Sequence, residues 1–172
     1  MMRTALAALS VVALTAPALA ETCPGERAIY TQPESGYALH FYWGESWETS
    51  GAGMLTAMFR LVFPDGERVL KGRITGNMGT SRDVGWLEHG CREVGPDDAI
   101  LTEEEMEACT VWRGLVYALG DHSADFVPFI EEPAARTLLL TDLGRTLRYS
   151  EFVSSPGEEP WDVFHLTGCA PE

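Results

Sequence analysis

The chain reads as a mainly β protein: an antiparallel sandwich or barrel of pseudo-duplicated hairpins, with one short helix and two disulfides. Short apolar and aromatic runs alternate with Gly, Pro and Asp turns, helical periodicity is scarce, and four cysteines follow what reads as an export leader.

In chain order, residues 1–20 come first and read as a cleavable signal peptide. Arg3 is the positive start, residues 5–16 are apolar, and Pro17-Ala18-Leu19-Ala20 ends in the small-x-small pattern of a cleavage site. The apolar run is shorter than the roughly 20 residues that a bilayer-spanning helix needs. Residues 21–172 then form one mainly β domain with no membrane span, in the periplasm or outside the cell. Arg3 is the only charged residue of the leader, so the remainder carries 11 basic and 26 acidic side chains, a formal charge of −15. Such a surface repels phosphate backbones, which argues against nucleic acid and favours a cationic protein or a metal cation.

Residues 37–43 and 55–63 are strand candidates, and Pro64-Asp65-Gly66 predicts a hairpin turn before Val69 and Leu70. Met54 and Met58, within this apolar set, are expected to pack in the core. Thr102 and Glu105 make a capping box, predicting a helix that starts at Thr102 and runs to about residue 112. Further strands are expected at residues 114–119, 137–140, 146–152 and 161–166. A weak internal repeat aligns 23–91 with 109–169: residues 61–70 match 138–147, and Gly90-Cys91 matches Gly168-Cys169. On that repeat the natural disulfides are Cys23–Cys91 and Cys109–Cys169. The nearest alternative joins Cys91 to Cys109 and Cys23 to Cys169.

No pattern of residues carries catalysis. Asp121-His122-Ser123 places triad-type residues side by side, which suits a turn beside Gly120 better than a triad. His40, His89, His122 and His165 are dispersed, with no paired metal-ligand spacing and no expected cofactor. A weak calcium pattern places Asp121, Ser123 and Asp125 on alternate residues with Glu132 beyond, but Phe126 stands where such a loop needs glycine. Gly76-Asn77-Met78-Gly79-Thr80-Ser81 reads as a loop and lacks the ending of a phosphate-binding loop. The most distinctive local feature is aromatic: Tyr42, Trp43 and Trp47, with Glu45 and Glu48, could stack on a saccharide or hold a cationic side chain. Gly51-Ala52-Gly53 would keep that loop mobile. The expectation is a non-catalytic binding or inhibitory module for a cationic protein or a saccharide. A small exported hydrolase with convergent carboxylates is the alternative.

Overall fold

The computed structural model of the chain describes residues 23–49, 54–76 and 82–171. The leader, the glycines at 51 and 53, and the loop at 77–81 lie outside these residues.

Eight antiparallel strands close into a barrel, and a ninth short strand pairs beside it. The strands are β1 (Ala28–Thr31), β2 (Ala38–Tyr42), β3 (Met54–Val62), β4 (Val69–Gly76), β5 (Asp83–Glu88), β6 (Thr110–Leu119), β7 (Ala124–Asp125), β8 (Thr137–Leu140) and β9 (Val163–Cys169). Each barrel strand pairs with its neighbours in chain order, β6 pairing with both β8 and the short β7, and β9 returns to β1 to close the ring. Among the described strands, closure leaves no long open edge for another chain to pair with.

Strand alternation sorts the side chains. Tyr30, Leu39, Phe59, Leu61, Leu70, Ile74, Leu87, Trp112, Val116, Leu138 and Phe164 fill the interior. On β3 and β4, the intervening Met58, Arg60, Lys71 and Arg73 therefore point outward. The turn between these strands forms as expected. Gly66 takes a positive φ of 73°, and the Asp65 carboxylate accepts the backbone N–H groups of Glu67 and Arg68, both at 3.0 Å.

The barrel is closed at both ends. At one, the segment after β7 folds inward, burying Val127 and Ile130; Ile130 N–H donates to the Thr56 carbonyl at 3.1 Å. Val127 N–H donates to the buried Asp83 carboxylate at 2.9 Å. At the other end, α3 (Leu143–Arg148) buries Leu143 and Leu147. Gln32, itself buried, pins the chain after α3: its amide donates to the carbonyls of Trp161 and Val163, and its oxygen accepts Trp161 N–H at 2.8 Å.

Several expectations need correction. The disulfides are Cys23–Cys169 and Cys91–Cys109, not one staple per half. Residues 61–70 form the β3–β4 hairpin, whereas their aligned counterparts 138–147 run from β8 into α3. Residues 146–152, expected as a strand, are the end of α3 and a turn, because Leu143 and Leu147 recur at helical spacing and both are buried. The capped helix is α2 (Glu103–Cys109); it ends before Thr110, where pairing with Glu88 draws the chain into β6. A further single turn, α1 (Ser46–Thr49), follows β2. Met54 is half exposed rather than core, and Met58, though buried, faces outward.

Candidate functional site

The outer faces of β3, β4 and β5 form the base of a groove of about 560 Å³. Alternation aims Met58, Lys71, Arg73 and Glu88 into it. α1 supplies one wall through Trp47 and Glu48. The other wall is the loop closed by the Cys91–Cys109 disulfide, with Ile100, Leu101 and Met106.

Register places these groups. Tyr42, Met58, Arg73, Trp86 and Arg113 are successive cross-strand partners from β2 to β6. The adjacent row places His40, Arg60, Lys71 and Glu88 side by side. Arg73 Nη2 lies 2.7 Å from Glu88 Oε1, and the two side chains are only 12% and 16% exposed. Glu88 Oε1 is buried, with the Arg73 guanidinium as its ion-pair partner. The same Arg73 nitrogen donates to Met106 Sδ at 3.1 Å. Lys71 Nζ reaches Glu48 Oε1 at 3.5 Å, and Arg92 Nε reaches Glu105 Oε1 at 3.2 Å. Arg60 lies over the Tyr42 ring at 4.0 Å and Arg113 over Trp86 at 4.4 Å.

Charge is sorted by element. Of the strand residues only Asp83, Glu88 and Asp125 are acidic, whereas Arg60, Lys71, Arg73 and Arg113 all lie on strands. Acidity is concentrated elsewhere, above all in the loop between Cys91 and Cys109. That loop holds Glu93, Asp97, Asp98, Glu103, Glu104, Glu105 and Glu107, all exposed, against the single base Arg92.

Of the aromatic–acidic candidates, Trp47 and Glu48 line the groove. Tyr42 stands on the outer face beside Met58, its hydroxyl buried and without a hydrogen-bond partner. Trp43, 59% exposed, and the exposed Glu45 lie in the link to α1, where Glu45 N–H donates to Glu48 Oε2 at 3.1 Å. The calcium candidates take other partners. Ser123 Oγ donates to Asp125 at 2.6 Å, and Glu132 accepts Phe129 N–H at 2.9 Å. Among the described residues no three His, Cys, Asp or Glu side chains are grouped to hold a metal ion. Asp121, His122 and Ser123 occupy an exposed turn between β6 and β7.

Sequence reasoning missed Lys71, Arg73, Glu88 and Met106. One signal was available: in Val69-Leu70-Lys71-Gly72-Arg73-Ile74 the two cations alternate with interior residues, as on a half-buried strand. Nothing local marks Glu88 or Met106 as their partners. Among the described residues no helix is long and apolar enough to cross a membrane. Comparison with protein-family models, curated proteins and solved structures finds no match to the chain.

Proposed function

We propose that the chain is an exported, non-catalytic binding module that holds a cationic polypeptide across the groove and its acidic disulfide loop. The observation that carries this reading is a charge imbalance. Each groove cation already faces a carboxylate: Lys71 faces Glu48, Arg73 faces Glu88 and Arg92 faces Glu105. Glu93, Asp97, Glu103, Glu104 and Glu107 have no cation against them among the described residues, so the rim presents uncompensated negative charge. Trp47, Met58, Ile100 and Met106 add apolar surface for an anchoring side chain. Two disulfides suit an oxidising compartment, in keeping with the leader read at residues 1–20. Glu88 is engaged by Arg73 rather than poised to move a proton, which fits binding better than hydrolysis.

Calorimetric titration of the oxidised protein with a nona-lysine peptide tests the proposal. Binding should weaken steeply as salt rises from about 50 to about 200 mM, because rim charges are screened over a Debye length of about 7 Å at the upper end of that range. The variant E103Q/E104Q/E107Q should bind about tenfold more weakly, at about 0.5 kcal/mol for each exposed charge. Affinity indifferent to both salt and the triple substitution would overturn the proposal.

A further inference from the structure

The two disulfides differ in what would keep their sulfurs together without the bond. Around Cys23–Cys169 the backbone does so. Cys169 is the cross-strand partner of Ala28, Ala170 N–H donates to the Arg27 carbonyl at 2.8 Å, and Ala134 N–H donates to the Cys23 carbonyl at 2.9 Å. Around Cys91–Cys109 only one partner is fixed. Cys109 ends α2 where β6 begins, and its carbonyl accepts His89 N–H at 2.9 Å. Cys91 lies past that bond, after Gly90, whose φ of 67° and open surroundings suit a hinge. Beyond Cys91 the wall bonds mainly to itself: Arg92 to Glu105 and the Ala99 carbonyl, Gly95 to Asp98, and Thr102 to Glu105. Among the described residues, Arg73–Met106 is the polar contact that ties it to the barrel, and α2 buries none of its residues. The bridge is therefore the chief fastening of the wall. Both of its cysteines are half-buried, within reach of a small thiolate.

We propose that Cys91–Cys109 is a redox latch on the groove: a dithiol opens it with the barrel intact, the acidic wall swings out on Gly90, and the bound partner is released. The proposal rests on the binding reading above and adds its regulation. A thiolate of the dithiol attacks one sulfur of the bridge, expels the other as a thiolate and leaves a mixed disulfide. The dithiol's second thiolate then closes its own ring disulfide and frees the remaining cysteine. Two electrons pass from the dithiol to the bridge, and the dithiol's two protons end on Cys91 and Cys109. Exposure does not separate the bridges, since Cys169 is exposed although Cys23 is buried. The difference lies in reclosure. The thiols of Cys23 and Cys169 stay side by side at a high effective concentration and re-form their bond, whereas Cys91 leaves with the wall.

Titration of the full oxidised protein through graded ratios of reduced to oxidised dithiothreitol, read by alkylation and peptide mass mapping, tests the latch. Cys91–Cys109 should open at a ratio about tenfold lower than Cys23–Cys169, with the near-ultraviolet dichroism of the packed aromatic core unchanged. The protein so opened should bind nona-lysine about tenfold more weakly than the oxidised form, because the wall carries the rim acids. The C91S/C109S variant, permanently open, should match it and ignore the dithiol. Coupling is reciprocal, so saturating nona-lysine should raise the ratio needed for opening by the same factor. Opening of Cys23–Cys169 first would overturn the proposal, as would opening of the short bridge only together with loss of the core signal. If nona-lysine binds the oxidised and opened forms equally, the latch falls and the binding reading stands. If it does not bind the oxidised protein at all, the binding reading falls and takes the latch with it.

Discussion

Trp112 lies inside the barrel, and glycine makes room for it. A Cβ on Gly85 would stand 2.7 Å from the indole ring and 2.6 Å from Val116, and one on Gly114 would stand 2.6 Å from the ring. The indole N–H donates to the Thr141 carbonyl at 3.0 Å, so the ring cannot slide aside without losing a partner. Gly85→Ala is therefore expected to cost about 1–3 kcal/mol by overpacking, read as a lower urea midpoint at unchanged slope. A variant as stable as the wild type would mean that the ring has room to move.

Asp83 has an opposite problem, too little water. Burial raises its pKa above the ordinary value of 3.8, and the hydrogen bond from Val127 only partly offsets this. A carboxyl whose folded pKa is raised contributes stability that is fully present below the unfolded pKa and is lost as pH rises through the folded one. Asp83→Asn keeps an acceptor for Val127 without the charge. It should be more stable than the wild type at neutral pH, with the difference vanishing in acid below the unfolded pKa. A variant less stable at neutral pH would show that the charged hydrogen bond outweighs the burial cost.

At the scale of elements, local chemistry decided what could be read. The β3–β4 turn and the start of α2 were legible because Pro64-Asp65-Gly66 and Thr102–Glu105 satisfy their own backbone groups. β5 was not, since Asp83-Val84-Gly85-Trp86-Leu87-Glu88 shows no clean apolar alternation and places an acid inside. The end of α2 was missed for a related reason: pairing between Glu88 and Thr110, distant in sequence, stops the helix. α2 buries none of its residues, so its cap acts locally. Thr102→Ala should cost the helix about 1 kcal/mol, seen as about fivefold faster amide exchange in α2 with the global unfolding midpoint nearly unmoved. A matching drop in the global midpoint would show that α2 is coupled to the barrel more strongly than its exposure implies.

At the scale of the molecule, composition hid the arrangement of charge. The bulk count describes an acidic protein, yet the strands carry four Lys or Arg residues against three acids. The other described acids sit on loops and helices, where each strand's inward neighbours do not constrain them. Trp47 and Glu48 were readable as site candidates because their neighbourhood is locally distinctive. Arg73, Glu88 and Met106 were not, because they converge only when β4, β5 and α2 are folded together. Barrel closure is long-range in the same way, and so is the choice of disulfides.

The two disulfides should consequently serve different ends. Cys23–Cys169 spans 146 residues and ties the chain ahead of β1 to the end of β9, where the first and last strands meet. Cys91–Cys109 spans 18 residues and closes only the groove wall. Loop-closure entropy assigns the first about 5 kcal/mol and the second about 3 kcal/mol. The variant C23S/C169S should lose more global stability, measured by urea unfolding. C91S/C109S should keep more of it and yet lose most of its affinity for nona-lysine, because its acidic wall is no longer held over the groove. The reverse pattern, with binding lost through the terminal bridge and stability through the short one, would place the functional surface somewhere other than the groove.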